Sequence, residues 1–134
     1  MKRIYLAGPF FNLSELRFTE YVANEIKARF SDRMTVFVPH QDTGVILTPR
    51  STPAERRDVF QGDIDAMNAA DIYVLLLDNE DSGTCFEMGY GYARGLPMVA
   101  LWSDVRKVPN LMLQQSATLI ATVETLLDEL EKLL

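Results

Sequence analysis

Carboxylates are the side chains in this sequence best suited to chemistry. Asp78, Glu80, Asp81 and Glu87 lie close together, with Asp42, Asp63 and Asp65 upstream. Acids in surface loops are ordinarily just solvated, so spacing has to single one out. Glu87 is the most informative. Thr84-Cys85-Phe86-Glu87 has the spacing of a capping box, in which a glutamate in the first helical turn bonds back to the cap residue. Spacing alone favours that cap. The same position also has a chemical reading, because a carboxylate in a first helical turn can point into a cleft at the end of a sheet. The helix dipole favours its ionised form by about 0.3–1 kcal/mol. A free glutamate, titrating near ~4.3, is already charged at neutral pH. A fixed, ionised carboxylate is what attack on an anomeric carbon requires, through a covalent glycosyl-enzyme with oxocarbenium-like transition states on either side.

Other chemistries fit the composition less well. One cysteine, Cys85, and one histidine, His40, exclude a disulfide framework and a Cys/His zinc site. A Ser-His-Asp arrangement would rest on His40 alone, and a lone histidine at a strand end reads more simply as structural or solvated. Neither a metal nor an organic cofactor is expected. The net charge is −6, with no run of lysine or arginine. That argues against a nucleic-acid polymer, whose binders carry a basic patch, and suits a small neutral ligand. No apolar run reaches the roughly 20 residues of a membrane span. Gly8-Pro9 interrupts the short apolar stretch at the start, so a signal peptide is not expected, and the expected location is the cytoplasm.

Apolar runs alternate with amphipathic stretches. Ile4–Ala7, Thr35–Val38, Asp71–Leu77, Met98–Leu101 and Thr118–Ala121 read as strands. Ser14–Phe30, Thr52 to about Ala69, Cys85–Arg94 and Val123–Leu134 read as helices, with a short helical piece after residue 110. Thr52-Pro53-Ala54-Glu55 supplies a cap, a proline at the first position and a glutamate at the third. Asp71–Leu77 is apolar at nearly every position, as a parallel strand covered on both faces would be. The alternation predicts one domain over residues 1–134, a flavodoxin-like three-layer α/β fold with a five-stranded parallel sheet of order 2-1-3-4-5. Ligands in such sheets bind beyond the carboxyl ends of the strands, at the switch point. That rule selects the loops 8–13, 39–51, 78–84 and 102–112.

Gly83, Gly89 and Gly91 surround Glu87. A glycine inside a helix costs about 1 kcal/mol relative to alanine, so Gly89 and Gly91 need a reason. Close packing of helix on sheet is the plain one; close approach of a ligand or a neighbouring chain is the other. Four segments then carry a resemblance: Ile4-Tyr5-Leu6-Ala7-Gly8-Pro9-Phe10, Asp63 followed by Asp71 at a strand start, Asp81-Ser82-Gly83-Thr84-Cys85-Phe86-Glu87-Met88-Gly89-Tyr90, and Asn110-Leu111-Met112-Leu113. In this order they resemble the nucleoside 2'-deoxyribosyltransferases and, more broadly, the superfamily these share with nucleotide N-glycosidases.

The resemblance implies roles. Glu87 would be the nucleophile on C1' of deoxyribose, with Tyr5 beside it positioning it by a hydrogen bond. Asp63 and Asp81 would serve base and sugar, one of them giving a proton to the departing base. Asn110 would contact the sugar 5'-hydroxyl from a neighbouring subunit, and Met112 would line that junction. Gly8 and Gly83 would form the turns around the substrate, and Phe10 and Phe11 would stack or pack on the base; for Phe10, Phe11 and Met112 plain core packing is the competing reading. The substrates would be a 2'-deoxynucleoside and a free nucleobase, exchanged in a ping-pong reaction with retained configuration. A homo-oligomer sharing active sites between subunits follows. Two alternatives stay open. One is a hydrolase of 5'-nucleotides, for which Arg50, Arg56, Arg57 or Arg106 would have to reach the phosphate. The other is a non-catalytic nucleotide-binding module, which fold alone cannot exclude. Residues 40–50, His40 among them, match no pattern of the family.

Overall fold

The computed structural model describes residues 1–134. Its strands are β1 (Lys2–Ala7), β2 (Met34–Phe37), β3 (Ile72–Leu76), β4 (Met98–Leu101) and β5 (Leu119–Ala121). The helices are α1 (Leu13–Phe30), α2 (Pro39–Asp42), α3 (Pro53–Ala69), α4 (Ser82–Ala93), α5 (Leu111–Ser116) and α6 (Leu126–Glu131). All strands pair in parallel, in the order β2-β1-β3-β4-β5. This is the doubly wound arrangement expected from the alternation of strand and helix.

The sheet is buried because both faces are covered. Alternate residues of each strand face opposite layers. Ile4, Leu6, Ile72, Val74, Val99 and Leu101 meet α1 and α6 in one core. Tyr5, Ala7, Tyr73, Leu75, Met98 and Ala100 meet α3, α4 and α5 in the other. Every residue of β3 is buried, as its continuous apolar run requires.

Two close approaches set the geometry above the strands. A Cβ at Gly8 would come within 2.8 Å of Leu76 Cδ1, so the turn after β1 lies directly against β3. A Cβ at Gly91 would meet the Tyr73 ring at 2.6 Å. Only a glycine there lets α4 ride this low on the sheet, which is the plain reading of that residue.

Local signals act as expected at α3. The Thr52 side chain accepts from Glu55 N, and the Glu55 carboxylate accepts from Thr52 N at 2.7 Å. Such a cap contributes about 1 kcal/mol. Three expectations need correction. The segment after β2 is not all loop, because Pro39 starts the single turn α2 and Asp42 accepts from Val38 N at 2.6 Å. The last helix is shorter than its leucine pattern, Leu126–Glu131, with Leu126 and Leu130 buried. Helix α4 begins at Ser82 rather than at Cys85, capped by Asp81 rather than by Thr84. The reason is that Asp81 Oδ2 accepts from both Thr84 N at 3.0 Å and Thr84 Oγ1 at 3.2 Å, so the aspartate takes the donors first.

Candidate active site

The earlier helix start changes what Glu87 does. It falls beyond the first turn of α4, cannot bond back to the cap, and lies where the dipole has largely faded. Its carboxylate instead accepts a hydrogen bond from Tyr5 Oη at 2.7 Å. Tyr5 comes from β1, eighty-two positions away in sequence. Its ring is fully buried, stacked on Phe37 at 5.7 Å and tilted against Tyr73 at 5.4 Å. Phe37 is the register partner of Tyr5 on β2. The pairing was within reach of the alternation in β2, which puts Phe37 on the same face once the strand order is known.

Burial governs the electrostatics. It pushes the Glu87 carboxyl up to about 7, the Tyr5 bond opposes this, and the charges of Asp63 and Asp81 add to it. The expectation that Glu87 is already fully charged at neutral pH is therefore overturned, because burial moves its titration up to about 7. Burial, then the adjacent carboxylate, hold the Tyr5 phenol well above its ordinary range, so it stays a neutral donor. Asp63, on α3, is close enough for its charge to raise both Tyr5 and Glu87. Burial pushes its own carboxyl up to about 6. Asp63 Oδ1 is buried without a hydrogen-bond partner, a costly state for a polar atom unless something else fills it.

The remaining loop acids hold hydrogen bonds within the chain. Asp81 caps α4, and a Cβ at Gly83 would sit 3.1 Å from its Oδ2, so Gly83 leaves room for the cap. Asp78 accepts from Ser103 N at 2.8 Å and bonds the Ser103 hydroxyl. Glu80 Oε1 accepts from Asn110 N at 2.6 Å. These bonds tie the loop after β3 to the start of α5, and they hold Asn79 and Glu80 at φ 70° and 47°. Left-handed backbone at two adjacent non-glycine residues is a strain of the kind found near functional sites.

The other expected residues sit at the same end of the sheet with their reactive surfaces outward. Asn110 caps α5 through Met112 N at 2.9 Å, while Leu111 and Met112 are exposed. Phe10 and Phe11 are exposed and stacked on each other at 5.7 Å, so neither is core. Phe10 also lies 4.9 Å from the His40 ring. Both His40 nitrogens are buried without partners, and burial lowers its pKa against the opposing charges of Glu20 and Asp42. Two of the arginines named for a phosphate are committed elsewhere: Arg56 to the Thr48 carbonyl at 2.6 Å, Arg106 to Asp104.

One hollow, about 330 Å³, lies between β2 and α3 beside Arg3, Thr35, Phe37 and Ala66. Another, about 180 Å³, sits at the switch point beside Pro9, Glu15, Asp78 and Asn79. Neither includes Glu87 or Asp63. The two carboxyls that burial raises, with a neutral phenol between strand and helix, are the better guide.

Known proteins agree with this architecture. A family model described as nucleoside 2-deoxyribosyltransferase matches residues 4–128. A conserved protein from Enterococcus faecalis V583 has a similar structure, with TM-score 0.86, 25% identity, and coverage of 100% of this chain and 99% of that one. A 2-deoxyribosyltransferase from Bacillus psychrosaccharolyticus is similar with TM-score 0.73 and 26% identity, over 89% of this chain and 85% of that one. A curated relative, an uncharacterized protein of Ureaplasma parvum, is 32% identical over 95 residues, 66% of this chain. The chain spans 58% of that relative's length.

Proposed function

Because the chain belongs to the nucleoside 2-deoxyribosyltransferase family, we propose that it moves 2'-deoxyribose between nucleobases through an ester on Glu87. Tyr5 holds Oε1, which leaves Oε2 for the sugar. Glu87 Oε2 attacks C1', the C1'–N bond breaks, and its electron pair leaves with the base. Asp63, which burial keeps protonated to about pH 6, gives its proton to that base. A second base then attacks C1' from the face the first one left. It returns a proton to Asp63, and the ester C1'–O bond breaks to restore the Glu87 carboxylate. Two inversions give net retention.

Between the two candidate acids, the bonding pattern favours Asp63 as the proton donor. Asp81 spends Oδ2 on the α4 cap, whereas Asp63 Oδ1 is buried and unpartnered. Asn110 serves the sugar of a neighbouring copy, a role supported by the exposure of Leu111 and Met112 beside it. The expected substrates are a 2'-deoxynucleoside and a free nucleobase.

One observation carries the reading: the 2.7 Å bond from a buried phenol to a carboxylate that shares its surroundings with an unpartnered aspartate. The test is to incubate the chain with deoxyinosine, with and without adenine, and follow products by chromatography. Deoxyadenosine formed only in the presence of adenine supports transfer. Free deoxyribose, or cleavage confined to 5'-nucleotides, makes the protein a hydrolase with the same nucleophile. Binding without turnover makes it a non-catalytic module.

A further inference from the structure

The loop between β3 and α4 holds backbone that its residue types do not suit. Asn79 stands at φ 70° and Glu80 at φ 47°. Left-handed backbone favours glycine, and asparagine tolerates it next best. Glutamate has no such tolerance, so at Glu80 the conformation must be held by its surroundings. The Glu80 N–H donates to the Leu77 carbonyl at 2.8 Å, a bond that glycine would make equally well. The side chain makes one bond: Oε1 accepts from Asn110 N at 2.6 Å, across 30 positions of sequence. That carboxylate is what glutamate supplies here and glycine would not.

Asn110 shows what the bond is for. Its backbone oxygen accepts from Gln114 N at 2.9 Å, and its side-chain Oδ1 accepts from Met112 N at 2.9 Å. The amide orientation follows, because a backbone N–H needs an acceptor and Nδ2 is only a donor. With its own N–H on Glu80, Asn110 is left with Nδ2, which makes no hydrogen bond within the chain and stands at an exposed position. Such a donor suits a sugar oxygen. Asp78 fastens the same loop to Ser103 N at 2.8 Å, and Asp81 starts the helix that carries Glu87. One strained loop, residues 78–81, thus sets both Glu87 and Asn110.

We propose that Glu80 is a positioning residue, whose carboxylate fixes the start of α5 so that Asn110 Nδ2 is presented to the 5'-oxygen of the deoxynucleoside. The proposal rests on the deoxyribosyl-transfer reading and adds to it a group that does not itself touch the substrate. A carboxylate bonded to a backbone N–H is charge-assisted and stronger than a neutral pair, which suits a tie between two loops at the surface. A donor already held in place has little freedom left to lose on binding; a loosened one does.

The test compares deoxyinosine with 2',5'-dideoxyinosine, which lacks the 5'-oxygen. Glu80→Ala is expected to lower kcat/KM for deoxyinosine about 10-fold. The value for 2',5'-dideoxyinosine should stay within about 2-fold, and in an Asn110→Ala background the same substitution should add no more than that. The pH profile, which Glu87 and Asp63 set, should not move. Glu80→Gln, whose amide oxygen still accepts, should recover most of the loss. Glu80→Gly suits φ 47° and guards against misfolding: it should melt no lower than Glu80→Ala and lose the same discrimination. In proton–nitrogen NMR spectra without substrate, the Asn110 amide should move upfield in Glu80→Ala. Equal losses on both nucleosides, losses that multiply with Asn110→Ala, or an unmoved Asn110 amide overturn the proposal while base exchange stands. If the wild type binds both nucleosides without turnover, dissociation constants from calorimetry replace kcat/KM, and the same pattern sinks the transfer reaction but keeps the positioning. A protein that binds neither nucleoside sinks both.

Discussion

The two faces of the sheet are built from the same strands and do different work. Toward α1 and α6 lies a core of sixteen buried residues, all apolar. The surface above it is laced by exposed ion pairs such as Arg29–Glu131 and Arg33–Glu131, which contribute little each. Toward α3, α4 and α5 the core is ten residues and includes two tyrosines and three methionines. That side also holds two carboxyls pushed toward neutrality and a buried oxygen with no partner. One face supplies stability; the other gives some of it up to hold groups in states water would not allow. Adjacent residues of a single strand, Ile4 and Tyr5, belong to opposite regimes.

The sharpest way to break this comparison is Glu87→Gln. Turnover is expected to fall by at least about 10⁴-fold, since a neutral amide cannot form the ester. Stability should move the other way. The folded carboxyl titrates at about 7, above its unfolded value, so it favours folding at low pH, and that contribution is lost as pH rises through 7. The variant loses nothing over that range. Its Tm should match the wild type near pH 4.5 and exceed it at pH 8. A variant less stable than the wild type at pH 8 would return Glu87 to an ordinary structural role.

Asp63→Asn comes next. A general acid contributes about 10²–10⁴-fold, and the loss should appear in kcat/KM. The wild-type profile should be a narrow bell. The reactive form pairs an ionised Glu87, which titrates at about 7, with a protonated Asp63, which titrates at about 6; because the base has the higher value, the bell bends at about 6 on its rising side and at about 7 on its falling side. The two groups interact, so the limbs belong to the pair. In Asp63→Asn the falling limb should vanish. A bell that survives would move the proton to Asp81.

The same contrast explains what could be read from the residues in order. The fold was legible because β3 and the Thr52–Glu55 box are local signals that tertiary contacts reinforced. The pairing of a strand tyrosine with a helix glutamate was legible only through family resemblance. The cap of α4 was misread because Asp81 and Thr84 are both good caps, and three-residue spacing fits either one. The raised carboxyl at Glu87 was illegible for a physical reason: desolvation comes from everything packed around a group, and no stretch of chain encodes it. Asp78 and Glu80 looked like candidates for chemistry because a loop acid shows its charge in sequence but not its bonding.

On the opposite face, Ile26→Ala should act purely on stability. Ile26 is fully buried among aliphatic neighbours, and such truncations cost about 2–5 kcal/mol. Denaturant unfolding should show that loss, while kcat and the pH profile at a temperature where the variant is folded stay at wild-type values. A shifted pH limb would mean the two layers are coupled through the sheet.

Tyr5→Phe tests the boundary itself, because its ring serves the core and its hydroxyl serves the site. The ring contacts with Phe37 and Tyr73 survive the change, so the fold should hold within about 1 kcal/mol. Removing the hydroxyl takes away the one influence that holds the Glu87 carboxyl down, while burial and the Asp63 and Asp81 charges still push it up. The alkaline bend of kcat/KM, which the Glu87 value sets, must then move to higher pH. A hydrogen bond to a charged group is worth about 1.5–3 kcal/mol, so activity near pH 6.5 should drop by roughly 10- to 150-fold. Part of that loss should return as the medium becomes more alkaline. A loss that is equal at every pH would mean that the phenol positions the carboxylate without tuning it.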